Sequence, residues 1–166
     1  MFRLQGQAGI LKRRPWIKSG ALAAAMLIGF AGCAPINMPK VNLSEPQWSV
    51  HRGQALWEPP SGRMELTGDL VAAENIDHDV WVGMTKALLP IFTARTWNGT
   101  WSIDFVKRGE SYQGRGKPPV GRFIWFDLPQ ILDGAVPPKP WRIRRDEDRV
   151  ILKNPRTGEE ITMVFE

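Results

Sequence analysis

Short runs of alternating apolar and polar residues fill the chain after residue 47 and predict β-strands. In residues 63–71, apolar or small side chains occupy the even positions from 64 to 70, and polar side chains occupy the odd positions between them. A period of two residues is typical of an antiparallel strand with one buried face. Further strands are predicted at residues 48–57, 80–84, 141–145, 149–153 and 161–165.

The firmest local prediction is a β-hairpin in residues 91–106. Asn98-Gly99 is a strong signal for a two-residue type I′ turn, because that turn needs positive φ at both positions. Such a loop pairs Phe92 with Phe105 and Thr96 with Trp101. This register places the apolar side chains of both strands on one face, and a slip by one residue would mix the faces.

The region after the hairpin predicts a change of structure. Residues 109–121 are rich in Gly, Pro and basic side chains and predict a long loop or a frayed strand. An aromatic strand at 122–126 is expected next, then a short helix over 128–132 that begins at Asp127 and ends at Gly134. The predicted fold is mainly β: a curved antiparallel sheet or an incomplete half-barrel with one short helix packed on it.

The first 33 residues have the pattern of an export signal. Four basic residues between positions 12 and 18 precede an apolar run of about a dozen residues, which ends in small side chains. The run is short for a permanent transmembrane helix, which needs about 20 residues. Phe30-Ala31-Gly32-Cys33 resembles the lipobox of bacterial lipoproteins. This resemblance implies cleavage before Cys33 and attachment of a lipid such as palmitate to its thiol.

The chain is therefore divided into three parts. Residues 1–32 are predicted to be a lipoprotein signal peptide, 33–46 a lipidated tether with three prolines, and 47–166 a single β-rich domain. An ordinary signal peptide with a chance cysteine and an uncleaved anchor remain as alternatives. Residues 12–18 also resemble a twin-arginine export signal, and a general secretion signal explains them equally well.

The position after Cys33 bears on localisation. In enteric bacteria an Asp there resembles an inner-membrane retention signal, whereas this chain has Ala34. We therefore expect the protein in the cell envelope, lipid-anchored through Cys33 and facing the periplasm from the outer membrane.

The net charge of +5 does not indicate a nucleic-acid partner. Five of the 22 Lys and Arg residues precede Cys33, whereas all 17 Asp and Glu residues follow it, so 17 of each remain after the signal. The basic surface of a nucleic-acid binder is therefore not expected. Cys33 is the only cysteine, so an internal disulfide is excluded.

The sequence offers no catalytic constellation. His51 and His78 are the only histidines, and a Gly-x-Ser-x-Gly motif is missing. Asp77-His78-Asp79 could supply metal ligands, but three adjacent residues in a turn cannot all point at one ion, which favours a solvated turn. We expect no enzymatic activity, metal or cofactor, and an enzyme with a pocket around His51 or His78 stays as a minor alternative.

Aromatic side chains are the outstanding feature of the predicted domain. Of the eight tryptophans, all but Trp16 follow Cys33, together with five of the seven phenylalanines. They suit an ordinary core under one sheet, which the sequence alone favours, or a sheet curved around an apolar cavity. The residues predicted to line such a cavity are Trp81, Phe92, Trp101, Ile103, Phe105, Phe123 and Trp125.

The order of lipobox, tether, antiparallel strands, hairpin, short helix and strand meander resembles the lipoprotein-localisation superfamily, with its LolA-type carriers and LolB-type receptors. The resemblance covers residues 47–165 and implies a half-barrel with a helical lid over a cavity for the acyl chains of lipoproteins. It also implies an exposed apolar residue used in membrane handover. Leu88 or Leu89 would take that part, unless both turn into the core.

Two functions follow from these patterns. The first is a membrane-anchored, non-enzymatic envelope lipoprotein that binds acyl chains or lipoproteins in an aromatic concavity, as a carrier or receptor. The second is a scaffold or assembly lipoprotein that acts through an envelope protein. It predicts a filled core and an exposed apolar patch at Leu88-Leu89 and Trp97.

Overall fold

The period-two runs form strands in the computed structural model, which describes residues 38–60 and 64–165. The predicted signal peptide, Cys33 and the first part of the tether lie outside the described residues. The strands are β1 (Trp48–Glu58), β2 (Leu66–Asn75), β3 (Val80–Lys86), β4 (Leu89–Trp97), β5 (Thr100–Phe105), β6 (Glu110–Arg115), β7 (Arg142–Arg145), β8 (Arg149–Lys153) and β9 (Glu160–Phe165).

All nine strands belong to one antiparallel sheet in the order β6-β5-β4-β3-β2-β1-β9-β8-β7. Strands β1 to β6 follow one another as hairpins, and β9 pairs with the free side of β1. Across the described part of the chain the sheet is not closed, so β6 and β7 are its two edges. The prediction of a mainly β fold with an open, curved antiparallel sheet and one short helix is confirmed.

Two hairpins use the same kind of two-residue turn. Asn98 and Gly99 have φ values of 47° and 69°, and the strands beside them pair Phe92 with Phe105 and Thr96 with Trp101, as predicted. Between β3 and β4, Ala87 and Leu88 have φ values of 50° and 69°. The second turn has neither Asn nor Gly, so the usual sequence signal for it is missing.

The sheet buries one of its faces, here called the inner face. Residues paired directly across strands lie on the same face, and the row Ala72, Val82, Ala94 and Ile103 is fully buried there. The row that contains Trp81, Arg95 and Ser102 lies on the opposite, outer face. The inner face thus supplies the hydrophobic core.

A nine-residue helical segment covers the inner face. It consists of a 3₁₀ turn, Ile124–Asp127, that continues into the helix α1, Leu128–Leu132. The prediction of α1 is confirmed, but the aromatic strand predicted at 122–126 is wrong. Buried Ile124, Leu128 and Ile131 follow one another at intervals of four and three residues, which is the spacing of a helix rather than a strand.

The ends of α1 agree only in part with the prediction. In the described chain Asp127 makes no side-chain capping hydrogen bond, and Pro129 in the first turn favours the start of the helix instead. The stop at Gly134 is as expected, since its φ is 107° and its N–H donates to the carbonyl of Ile131. Of the two structures predicted for residues 109–121, the strand is present, as β6.

Candidate functional site

The protein's own side chains fill the inner face. Five of the seven residues predicted to line a cavity are buried there: Phe92, Ile103, Phe105, Phe123 and Trp125. Trp125, only 1% exposed, projects from the helical segment, and its ring lies 4.3 Å from that of Phe92 and 5.3 Å from that of Trp57. The predicted lining residues are therefore brought together, but as a packed aromatic cluster.

The two remaining lining residues lie elsewhere. Trp101 is half-buried on the inner face, where its indole covers Gly114 and contacts Phe126 edge-on. Trp81 lies on the outer face, where its indole covers Gly83, so its assignment to the same surface as Phe92 is wrong. Residues 80–84 are apolar or small at every position, so their pattern did not indicate which face Trp81 would occupy.

A pocket of about 430 Å³ lies on the outer face of the sheet. A smaller pocket is lined in part by rings of the aromatic cluster. We call it the mouth pocket. It has a volume of about 200 Å³ and lies where the ends of β1 and β5 meet the start of β6. Its walls are the rings of Trp57, Phe105, Tyr112, Phe123 and Trp125, and its charged residues are Arg108, Glu110, Arg122 and Glu159. Three of the predicted lining residues thus reach this pocket.

A buried carboxyl group belongs to the mouth pocket. Glu159 is 7% exposed, and its Oε1 accepts a 2.9 Å hydrogen bond from the indole Nε1 of Trp57. Burial raises the pKa of Glu159, while the Trp57 hydrogen bond and the charge of Arg108 act against that rise. Sequence analysis missed this residue, because two glutamates in a turn after Gly158 have the pattern of a solvated loop.

Two arginines of the mouth pocket stack on its rings. The guanidinium of Arg108 lies 5.1 Å from the ring centre of Trp57, and that of Arg122 lies 4.6 Å from the ring centre of Tyr112. Cation–π contacts of this kind hold the flat side of a guanidinium group against an aromatic face. Residue spacing did not indicate the contact of Arg108 with Trp57, because the two residues come from distant parts of the chain.

Leu88 and Leu89 are exposed at the end of the β3–β4 hairpin, at 94% and 71%. The alternative in which both turn into the core is therefore wrong. Strands β1, β3 and β5 run in one direction, so the connections after them lie at the same end of the sheet. Exposed apolar side chains occur in all three connections, and we call them the apolar rim: Met64, Leu88, Leu89 and Val106.

Trp97 does not belong to the apolar rim. It precedes the Asn98-Gly99 turn at the opposite end of the sheet and is partly buried. The predicted exposed patch that combined Trp97 with Leu88 and Leu89 is therefore wrong as one surface.

Both histidines pair with carboxylates near α1. Nε2 of His51 lies 2.9 Å from Oδ1 of Asp133, and Nδ1 of His78 lies 2.6 Å from Oε1 of Glu74. Gln130 of α1 donates a hydrogen bond to the same oxygen of Glu74. These contacts fasten the helical segment to β1 and β2.

The Asp77-His78-Asp79 turn does not gather its side chains at one point. Asp79 is buried and its Oδ1 accepts the backbone N–H of Asn98, whereas His78 is exposed and pairs with Glu74. Within residues 38–60 and 64–165, no group of three or more His, Cys, Asp or Glu side chains could hold a metal ion.

A scan against protein-family models finds no match. A search of curated proteins finds no significant match. In the part of the chain that the structure describes, none of the helices has the length and apolar character needed to cross a membrane.

Proposed function

We propose that this protein is a non-enzymatic, lipid-anchored protein of the cell envelope that acts as a scaffold or assembly factor, through contact of its apolar rim with a protein partner. The observation that carries the proposal is the exposure of Leu88, at 94%, beside an interior that Trp125 and its neighbours fill. A filled interior leaves the surface as the place of action, and exposed apolar groups are typical of contact sites.

The backbone conformation of the turn that contains Leu88 also supports a role for Leu88 in binding. Ala87 and Leu88 both have positive φ, which costs a residue with a side chain about 1–2 kcal/mol. Asn98-Gly99 makes the same kind of turn without most of that strain. Strain of this sort is concentrated at functional sites. An exposed leucine in a strained turn is therefore better explained by binding than by folding.

The apolar rim and the entry of the chain into the domain lie at opposite ends of the sheet. The chain enters the domain at Trp48, and β1 has 11 residues, so its other end lies about 36 Å away. The rim is at that far end. A lipid on Cys33 would tether the domain through the stretch that precedes Trp48.

A site-specific cross-linking experiment tests the proposal. A photo-reactive amino acid at position 88 should give one discrete cross-linked protein in living cells. The same group at position 76 is the matched control, because Ile76 is also exposed, at 75%, but in the connection at the other end of the sheet. Adding Leu89→Asp should abolish the cross-link. Equal cross-linking from positions 76 and 88, or none from 88, would contradict the proposal.

Acyl-chain binding is the second candidate, and the mouth pocket favours it. This pocket reaches Phe105, Phe123 and Trp125, so outward movement of the helical segment would extend it along the aromatic cluster. Native mass spectrometry of the purified protein, followed by organic extraction, distinguishes the candidates. A stoichiometric acyl ligand that Trp101→Glu removes from a folded protein would favour this second function.

A further inference from the structure

The mouth pocket combines aromatic walls with charges of both signs. At about 200 Å³ it has room for several water-sized groups. That space suits a molecule of head-group size, and without movement of the helical segment it is too small for a long acyl chain. What the pocket binds is therefore a separate question from what the apolar rim contacts, and the answer does not rest on the proposed function.

Arg122 gives the pocket a positively charged, oriented donor. Its guanidinium lies 4.6 Å from the ring centre of Tyr112 and 5.0 Å from that of Phe123. Stacking fixes the flat side of the group, and its N–H donors lie in its own plane, where a phosphate or carboxylate binds. Arg108 stacks in the same way on two other rings of the pocket.

Two carboxyl groups provide the opposite charge. Glu159 is buried, and its Oε1 accepts the 2.9 Å hydrogen bond from Trp57. Glu110 accepts a long hydrogen bond, 3.4 Å, from the hydroxyl of Tyr112. Aromatic faces next to carboxylates are the surroundings that bind an ammonium group. The pocket therefore has a place for a cation as well as for an anion.

The two guanidinium groups balance the two carboxyl groups. A simple anion would meet the repulsion of Glu110 and Glu159, and a simple cation would meet that of Arg108 and Arg122. A ligand with both charges matches each pair. We propose that the mouth pocket binds a small zwitterion in which a phosphate group lies next to an ammonium group, as in phosphoethanolamine. The phosphate would accept hydrogen bonds from the in-plane N–H donors of Arg122, while Arg108 adds positive charge.

Isothermal titration calorimetry on the protein purified in non-ionic detergent tests this proposal. Phosphoethanolamine should bind at least about tenfold more tightly than inorganic phosphate or ethylamine, which each carry half of its charges. The NMR signal of the Trp57 indole N–H, which faces Glu159, should shift during the same titration.

Two variants and one control test which side chains bind the phosphate and the ammonium of the ligand. Arg122→Gln should weaken phosphoethanolamine and inorganic phosphate alike. Glu159→Gln keeps an acceptor for Trp57 and should reduce phosphoethanolamine affinity to that of phosphate, without weakening phosphate itself. Arg115→Gln is the matched control, because Arg115 is exposed at the other end of β6, on the outer face, and its loss should change neither affinity.

A comparison of ligands distinguishes a phospholipid head group from a soluble molecule as the source of the zwitterion. Tighter binding of short-chain phosphatidylethanolamine than of phosphoethanolamine identifies a phospholipid head group, and the reverse identifies a soluble ligand. Short-chain phosphatidylglycerol, which lacks the ammonium, should bind weakly in both cases. The proposal is overturned if phosphate alone binds as tightly as phosphoethanolamine, if Arg115→Gln weakens binding as much as Arg122→Gln, or if phosphoethanolamine gives neither heat nor an NMR shift.

Discussion

The ring of Trp125 lies 4.3 Å from the ring of Phe92 and joins the helical segment to the centre of β4. Trp125 also meets Trp57 edge-on, at an angle of 87° between the rings. One side chain from a nine-residue segment thus occupies the space that a curved sheet would otherwise leave open.

This packing makes Trp125→Ala strongly destabilising. Removal of a buried indole loses apolar burial and leaves a cavity, and we expect a loss of about 3–5 kcal/mol in the free energy of unfolding, measured in urea. Trp97→Ala is the control, since Trp97 is only partly buried, and it should cost clearly less. A loss below about 1 kcal/mol for Trp125→Ala would mean that the helical segment does not fill the interior.

The strained turn between β3 and β4 predicts a gain in stability. Replacing Ala87-Leu88 with Asn-Gly keeps the φ values and relieves the side-chain clash, so we expect a rise of about 1–2 kcal/mol in the free energy of unfolding. The same variant should lose the cross-linked partner in cells. Urea unfolding and cross-linking from a probe at position 89 would measure the two effects, and retention of the cross-link would dismiss Leu88 as a contact residue.

Glu159 predicts a dependence of stability on pH. Burial raises its pKa above the ordinary 4.5, so the folded chain holds this proton more tightly than the unfolded chain. The contribution of Glu159 to stability is therefore largest below pH 4.5 and is lost as the pH rises through the folded pKa. Burial also raises the pKa of Asp79 and Asp127 above 3.8, which acts in the same direction.

Urea unfolding between about pH 4 and pH 7 measures this effect. The free energy of unfolding of Glu159→Gln should fall less steeply with pH than that of the unmodified protein. Identical slopes for Glu159→Gln and the unmodified protein would show that the carboxyl is not desolvated in the folded state.

The close approach of β3 to Gly68 predicts that β2 cannot accept a side chain at this position without a shift of the strands. A methyl group there would fall on the backbone carbonyl of Thr85 in β3, so Gly68→Ala must displace one strand from the other. We expect a loss of about 1–3 kcal/mol, as for an overpacked core. Gly121→Ala is the matched control, because no described heavy atom lies within 4 Å of the added methyl group, and it should change stability by less than about 0.5 kcal/mol.

Cys33 carries the prediction of lipid anchoring. Cells supplied with labelled palmitate should incorporate label into the protein, and Cys33→Ser should abolish both the label and the association with the membrane fraction. Because Cys33 is the only cysteine, no other thiol can replace it. Label that persists in Cys33→Ser would dismiss the lipobox, and unlabelled wild-type protein would do the same.

The two similar turns show how far sequence patterns determined the fold. Asn98-Gly99 carries its conformational preference in its residues, so the hairpin and its register followed from the sequence. Ala87-Leu88 adopts the same φ values against local preference, because the pairing of β3 with β4 imposes them. Only the tertiary structure indicates that turn, although the strands beside it were predicted.

The candidate site was less accessible to prediction than the fold. Phe105, Phe123 and Trp125 were selected as aromatic residues of predicted strands, and all three reach the mouth pocket although residues 122–126 form no strand. Glu159 was missed because its partner Trp57 lies 102 residues away in sequence. A charge next to a ring depends on how distant strands meet, which residue spacing alone does not indicate.

The edge strand β7 has the sequence Arg-Ile-Arg-Arg. Three of its four residues are therefore arginines: Arg142, Arg144 and Arg145. A sheet that never closes leaves a row of backbone donors and acceptors at its border, and a second copy could add a strand there. Bringing two such borders together would place up to six like charges side by side. The arginines of β7 thus oppose growth of the sheet into fibres, and this open fold can stay dispersed at high local concentration.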